Sequence, residues 1–127
     1  MHKYSLILIA GCGGFIGAAL RYIISAKANK GIHIGIPMGT LIVNILGAVL
    51  IGFIMEMSKK TNMSAELKTF LTTGIMGGLT TFSTFSYETV MLINDGKIVM
   101  GGLNAGLNLF LSLIGVSLGM LLGRIIH

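Results

Sequence analysis

The stretch from Gly77 to Phe85 reads GGLTTFSTF and lies inside an apolar segment long enough to cross a lipid bilayer. It combines two glycines, four hydroxyl side chains and two phenylalanines. Gly-Gly is a poor helix former, and Ser and Thr hydroxyls can bond to backbone carbonyls that a broken helix leaves free. Irregular backbone at membrane depth persists only where it is buried in protein or lines a cavity, so we expect the functional site here.

The other polar side chains at membrane depth are mainly uncharged amides and hydroxyls. Asn44 lies in the middle of the second apolar segment. In the fourth segment Asn104, Asn108 and Ser112 lie at i, i+4 and i+8, which places them in one stripe on a helix. A lone Asn often only bonds a neighbouring helix. The whole set, however, predicts a hydrogen-bonding path, to which the third segment adds the hydroxyls of Ser83, Thr84 and Ser86.

Two phenylalanines flank these hydroxyls. Phe82 and Phe85 are three residues apart, a spacing that by itself favours packing within a helix bundle. Aromatic ring edges carry partial positive charge, so the same rings could also face an anion edge-on. Next to hydroxyl donors, the second interpretation predicts an anion path.

Ionisable groups inside membrane spans are expensive and usually functional. Arg21 lies near the end of the first segment, where its side chain either snorkels to the interface or lies at the mouth of a pore. Glu88 lies beyond the helix break expected at the Gly-Gly pair, and it either reaches the aqueous boundary or acts within a path. The first segment contains no carboxylate.

The composition indicates an integral membrane protein. Only 10% of the 127 residues are charged, against about a quarter in soluble domains, and the mean hydropathy is +0.90. Four apolar segments each reach the roughly 20 residues that a spanning helix needs. We therefore predict an all-α fold, a single four-helix transmembrane domain over residues 1–127, with helices at about 4–24, 34–57, 67–93 and 98–126 and a central break in the third.

Several local signals set the helix ends and the packing. Ser64 is the expected N-cap of the third helix, and Asn94-Asp95-Gly96 is expected to be a tight turn. Most of the 19 glycines lie within the spans and are expected to pack helices, including the run Gly115, Gly119 and Gly123. A single cysteine, Cys12, excludes an internal disulfide.

The net charge of +5 does not indicate nucleic acid, because the basic residues are scattered at helix ends without a stripe. With an even number of spans both termini face the same side. The two sides then carry similar numbers of cations, which leaves the orientation weakly determined. One side has Lys3, Lys59, Lys60, Lys68 and Arg124; the other has Lys27, Lys30 and Lys97, plus Arg21 if it reaches the interface.

Three other functions fit the residues of this chain less well. A small multidrug exporter is also a short four-helix protein, but it needs a membrane-embedded carboxylate and aromatic side chains for its cations. The first segment has no such carboxylate, and the chain has no Trp. A structural subunit would explain the glycines but not the amides and hydroxyls together. An enzyme is not expected, because no nucleophile–base pair or metal-ligand set occurs.

Three motifs give the chain a full-length resemblance to the Fluc (CrcB) family of fluoride channels. They are GGFIGAALRY at residues 13–22, GTLIVN at 39–44 with Gly47 following, and GIMGGLTTFSTFS at 74–86. The resemblance implies an antiparallel, dual-topology dimer in the plasma membrane, which agrees with the balanced charges. The dimer would be formed with a second copy or with a paired homologue.

The resemblance also implies roles for individual residues. Backbone carbonyls of Gly77 and Thr80 would bind one structural Na⁺ at the dimer centre, an ion that is not transported. Arg21 would match a basic residue near the vestibule, and Glu88 a possible end of the path. The anion path would contain the Asn44 amide, the rings of Phe82 and Phe85, the hydroxyls of Ser83 and Thr84, and further donors at Asn108 and Ser112.

The implied function is passive export of cytoplasmic fluoride down its electrochemical gradient, which would relieve fluoride toxicity. The chain shows no nucleotide motif and no deep proton-coupling carboxylate, as a passive channel requires. One departure from the family pattern concerns the fourth helix. Some relatives carry a Tyr where this chain has Asn108, with Ser112 one turn later, so the capacity to donate hydrogen bonds is kept.

Overall fold

The computed structural model describes residues 2–126, which are helical almost throughout and contain no strand. Three long helices are continuous: α1 (His2–Gly31), α2 (Met38–Lys60) and, later in the chain, α6 (Ile98–Ile125). The third span, residues 65–94, consists of α3 (Ala65–Thr69), a π-helical segment (Phe70–Met76), α4 (Gly77–Leu79) and α5 (Phe82–Asn94). The fold class is therefore the predicted all-α membrane architecture with a broken third span.

The three continuous helices are long and apolar enough to cross a membrane, by length and composition. Much of their apolar surface is exposed on the single chain; the exposed fractions of Phe15 and Phe110 are 79% and 61%. Such surface is expected of a protein whose outer face contacts lipid or another copy. The described bounds extend α1 well beyond the predicted end at residue 24 and start α2 at Met38, after Pro37.

The break in the third span lies at Thr80 and Thr81, not at the glycine pair. Both threonines have extended backbone dihedrals, with φ/ψ of −91°/158° and −151°/119°. Gly77 and Gly78 are instead helical, in α4. The expectation that Gly-Gly itself unwinds was wrong, since both glycines are helical and Gly78 is used for close contact with α1.

Short polar signals set the remaining ends, at Ser64 and at Gly96 as predicted and at Thr81 in addition. The Ser64 Oγ accepts a hydrogen bond from the Leu67 N–H at 3.1 Å and caps α3. The Thr81 Oγ1 accepts from the Thr84 N–H at 3.2 Å and caps α5. Gly96 closes the turn between α5 and α6 with φ of 81°, a conformation that favours glycine.

Two glycine pairs with GxxxG spacing join α1 to the third span. A Cβ on Gly13 would lie 2.8 Å from the Gly74 Cα, and one on Gly17 would lie 2.9 Å from the Leu79 N. A Cβ on Gly78 would lie 2.6 Å from the Gly14 O. The two backbones therefore touch, and any side chain here would separate them.

The glycine run of α6, predicted to pack helices, joins α6 to α2. A Cβ on Gly119 would lie 2.9 Å from the Phe53 N, and one on Gly123 would lie 3.2 Å from the Phe53 O. At the end of this contact the buried Glu56 carboxylate lies 3.5 Å from the Arg124 Nε and 3.6 Å from the Lys59 Nζ. The helix pair α2–α6 is thus held by backbone contact along its length and by charge at one end.

Gly119→Ala is expected to lower the free energy of unfolding, since the new methyl group must push α2 and α6 apart. Overpacking of this kind costs about 1–3 kcal/mol. Gly102→Ala is the matched control in the same helix, because a Cβ there meets no atom within 4 Å. Unfolding of both variants in detergent micelles, followed by circular dichroism, checks this. Equal stability of the two would contradict the close α2–α6 contact.

Candidate functional site

Asn44 of α2 binds the backbone of the break on both sides of one residue. Its Oδ1 accepts a hydrogen bond from the Thr81 N–H at 2.8 Å, and its Nδ2 donates to the Thr81 carbonyl at 3.2 Å. The amide thus replaces a strand partner for the single extended residue. This geometry supplies partners for backbone groups that hydrocarbon could not satisfy.

The amides of α6 extend this contact into a chain of hydrogen bonds. Asn44 Nδ2 donates to Asn108 Oδ1 at 2.9 Å, and Asn108 Nδ2 donates to Asn104 Oδ1 at 3.2 Å. Asn104 Nδ2 then donates to Thr89 Oγ1 at 2.9 Å, and the Thr89 hydroxyl donates to the Phe85 carbonyl at 2.8 Å. Asn104 and Asn108 are 0% and 4% exposed, so this chain lies inside the protein. We refer to it as the asparagine ladder.

The break also diverts two donors from the carbonyls of Gly77 and Thr80. In a continuous helix the Thr81 N–H would donate to the Gly77 carbonyl and the Thr84 N–H to the Thr80 carbonyl. Here the first donates to Asn44 and the second to the Thr81 hydroxyl. Carbonyl oxygens released in this way are ligands that a hard cation accepts, so the predicted pair has suitable chemistry for Na⁺.

The carbonyl of Gly78, in contrast, has a hydrogen-bond donor from another helix. The Gly78 carbonyl accepts a hydrogen bond from the Arg21 Nε at 2.9 Å. Arg21 is half-buried, and among residues 2–126 it has no carboxylate within ion-pair distance. The interface and the mouth of a pore, the two settings predicted for this residue, stay predictions; the structure adds that its guanidinium binds a backbone carbonyl next to the break.

A cavity of ≈ 380 Å³ lies beside the break, and its polar lining comes from Asn44, Thr72, Thr80, Thr81, Asn108 and Ser112. The hydroxyl of Ser112 has no hydrogen-bond partner in the part of the chain that the structure describes, residues 2–126. By contrast, both N–H groups of the Asn44 amide are engaged. Ser112 is therefore a donor that can serve a guest without losing an existing bond.

Phe82 and Phe85 also line this cavity. Their ring centroids are 5.3 Å apart at an interplanar angle of 67°, an edge-to-face pair. Phe82 is 77% exposed, so its ring faces outward from the single chain. An edge-to-face pair can present the edge of one ring and the face of the other to the same cavity.

The remaining predicted residues lie near the cavity without lining it. Ser83 is exposed, with its Oγ 3.4 Å from the Thr81 Oγ1, and Thr84 contributes the backbone donor of the α5 cap. The Glu88 carboxylate, one turn after Thr84, is half-buried and hydrogen-bonds the side chain of Thr40. The structure therefore groups five of the seven predicted path residues around one cavity: Asn44, Phe82, Phe85, Asn108 and Ser112.

Sequence reasoning did not single out three residues that this site uses. The Thr81 backbone is the centre of the contacts, Thr89 ends the asparagine ladder, and the Gly78 carbonyl binds Arg21. The spacing of Thr81, Phe85 and Thr89, four residues each, puts them on one helix face and could have indicated Thr89. No sequence signal marks which carbonyl Arg21 reaches.

These features define a class of multi-pass membrane protein, a helical bundle with a polar cavity at a broken span. The family model for the CrcB-like protein, Camphor Resistance (CrcB), matches residues 8–120. The chain therefore belongs to the CrcB family.

Relatives agree over the full length. A protein of Clostridium novyi (strain NT) named fluoride-specific ion channel FluC is 60% identical over 128 residues, covering 100% of both chains. Proteins with the same name from Clostridium perfringens and Campylobacter fetus are 57% and 40% identical, covering 99% and 98% of this chain and the same shares of theirs.

Asn44→Ala is expected to loosen the break, because it leaves the Thr81 N–H and carbonyl without their partner. Unsatisfied buried groups cost about 1–3 kcal/mol each. Amide hydrogen exchange of peptides covering residues 80–84 should therefore accelerate. Ser117→Ala is the control, since the exposed Ser117 hydroxyl only bonds the Leu113 carbonyl of its own helix. Unchanged exchange in the Asn44 variant would show that the break does not need this amide.

Proposed function

We propose that this chain forms a passive, fluoride-selective channel and is not an enzyme. The observation that carries the proposal is the cavity beside the unwound Thr80–Thr81 backbone, whose polar lining consists of neutral donors. Relatives across the full length share the name fluoride-specific ion channel FluC, which supports the same function. Those relatives come from bacteria, and in a bacterial cell the protein would lie in the plasma membrane.

Fluoride is the smallest halide and holds its water strongly, so a narrow path must offer donors of comparable strength. The free Ser112 hydroxyl and the edges of Phe82 and Phe85 supply such contacts on the cavity wall. The Asn44 amide can contact an anion only by exchanging one of its present hydrogen bonds. Asn44 and Asn108 therefore contribute mainly by keeping the wall polar and fixed, and Ser83 and Thr84 add donors beyond it.

The complete channel is proposed to be an antiparallel homodimer. The cavity opens to the surface of the single chain, and Phe82 on its wall is 77% exposed, so a second copy would be needed to enclose the path. The balanced basic residues on the two sides favour insertion in both orientations. A paired homologue instead of a second copy is the alternative that the tests below distinguish.

A single Na⁺ is proposed at the centre of that dimer, held by the carbonyls of Gly77 and Thr80 and by their counterparts. Both carbonyls have lost their helical donors, and a hard cation prefers such oxygen ligands. When bound, the ion would supply a fixed positive charge near the paths of the anions. The chain's own contribution is to turn these two carbonyls away from helical bonding.

The direction of transport follows from the gradient. In acidic surroundings HF crosses membranes, dissociates near neutral pH and traps the anion in the cytoplasm. A passive path then releases fluoride outward without an energy source. Glu88, which follows the break in sequence, would lie toward one end of this route.

Purified protein in liposomes is expected to release fluoride rapidly and electrogenically, with negligible chloride efflux, since the cavity offers contacts suited to the smaller ion. A fluoride electrode with valinomycin as the potassium carrier measures this. Movement of ethidium in response to a pH gradient, with fluoride left untouched, would replace the proposal with that of a multidrug exporter.

Phe82→Ile and Asn44→Asp are expected to reduce fluoride efflux strongly without preventing dimer formation. The first removes a ring edge, and the second removes two donors and adds a negative charge to an anion path. Efflux and size-exclusion chromatography of both variants check this. Full flux in both would exclude these side chains from the path; Ser117→Ala serves again as the unaffected control.

Dual topology predicts that the loop after α1 faces both sides in one population. In a Cys12→Ala background, Gly31→Cys is expected to be labelled to about half by a membrane-impermeant maleimide added outside sealed spheroplasts. Labelling of all or none of the copies would show one fixed orientation. Such a result, with flux only upon co-expression of a second homologue, would support the heterodimer.

A further inference from the structure

We propose that Arg21 is a positioning residue that holds the end of the first half of the third span; this rests on the proposed channel function. Its Nε donates to the Gly78 carbonyl at 2.9 Å, across 57 positions of sequence. In a continuous helix that carbonyl would accept from the Phe82 N–H. Arg21 therefore supplies, from α1, the hydrogen bond that the unwound residues take away.

The sequence of α1 is built to make this contact. Gly14 and Ala18 touch Gly78, because a Cβ there would lie 2.6 Å from the Gly14 O and 2.9 Å from the Ala18 N. Arg21 follows Ala18 on the same helical face, one turn further along. The backbone contact brings α4 close enough for a side chain of α1 to bond one chosen carbonyl.

The charge of Arg21 also suits the position. The helical half of the span ends at Leu79, and a helix C-terminus carries partial negative charge that a cation stabilises. Asn44 binds the other side of the break at Thr81. The carbonyls of Gly77 and Thr80 each belong to the residue directly before one of these two contacts. Arg21 thus acts through the backbone of the break.

A vestibule cation would act in another way, by raising the local anion concentration. Removing it would raise the fluoride concentration for half-maximal flux and leave the maximal flux intact. Removing a positioning residue lowers the maximal flux and loosens the backbone next to it. The two roles therefore separate in concentration dependence and in local amide exchange.

The test compares Arg21→Met with Lys27→Met, which removes the same charge from an exposed position of α1 beyond Arg21. Each protein is studied by hydrogen–deuterium exchange and by fluoride efflux over a range of fluoride concentrations. Arg21→Lys is the conservative variant. It keeps the charge but replaces the planar guanidinium with an ammonium group on a shorter side chain.

We expect exchange at residues 80–83 to rise about tenfold in Arg21→Met, the factor for losing one hydrogen bond to a charged group. Exchange in α2 and α6 should stay unchanged, and maximal flux should fall at saturating fluoride. Arg21→Lys should lie between Arg21→Met and the wild type, and this variant carries the comparison if Arg21→Met does not fold. Lys27→Met should match the wild type.

Three results would overturn the proposal. Unchanged exchange at residues 80–83 would show that the Gly78 contact does not hold the break. Recovery of full flux at saturating fluoride would assign Arg21 to anion attraction. A uniform rise of exchange across all helices would make it a general structural residue. If wild-type protein moves no fluoride, the proposed function fails, while the exchange data still test the role of Arg21.

Discussion

Every peptide group within a bilayer must find a partner inside the protein, and this requirement organises the molecule. The extended Thr80 and Thr81 interrupt the helical bonding of the third span. Three of the freed groups are then satisfied from neighbouring helices: the Thr81 N–H and carbonyl by Asn44 of α2, and the Gly78 carbonyl by Arg21 of α1. The break is consequently a shared product of three spans, and its shape depends on how closely they pack.

Glycine provides that closeness, and it does so through contact rather than flexibility. Gly78 lies against α1, and Gly47 leaves room for Thr80, since a Cβ there would lie 3.7 Å from the Thr80 Cβ and closer still to its methyl group. The α2–α6 pair is formed in the same way at Gly119 and Gly123. Because helices in lipid gain little from burying apolar groups, such backbone contacts are a main source of their association.

Hydropathy, spacing and polarity predicted the spans, the packing role of the α6 glycines and the Asn44, Asn108 and Ser112 side chains of the cavity wall, because each is recorded in residue type at a regular interval. The position of the break was not recorded in this way. Gly-Gly has the weaker helix propensity, yet both glycines are helical, and Gly78 is packed directly against α1. The hydrogen-bond partners of Asn44 and Arg21 were likewise beyond reach, since they depend on the mutual rotation of helices and not on local sequence.

The hydrogen bonds of the asparagine ladder all run in one donor-to-acceptor direction. Its amides donate in one direction, from Asn44 through Asn108 and Asn104 toward Thr89. Turning one amide alone would set oxygen against oxygen on one side and N–H against N–H on the other. The Thr81 N–H donates to the Asn44 Oδ1, and the Thr81 carbonyl accepts from the Asn44 Nδ2. These two bonds fix the orientation of the Asn44 amide and therefore the direction of the whole asparagine ladder. A reversal of the Asn44 amide at the break would therefore require the Asn108 and Asn104 amides to reverse as well, as far as the Thr89 hydroxyl in α5.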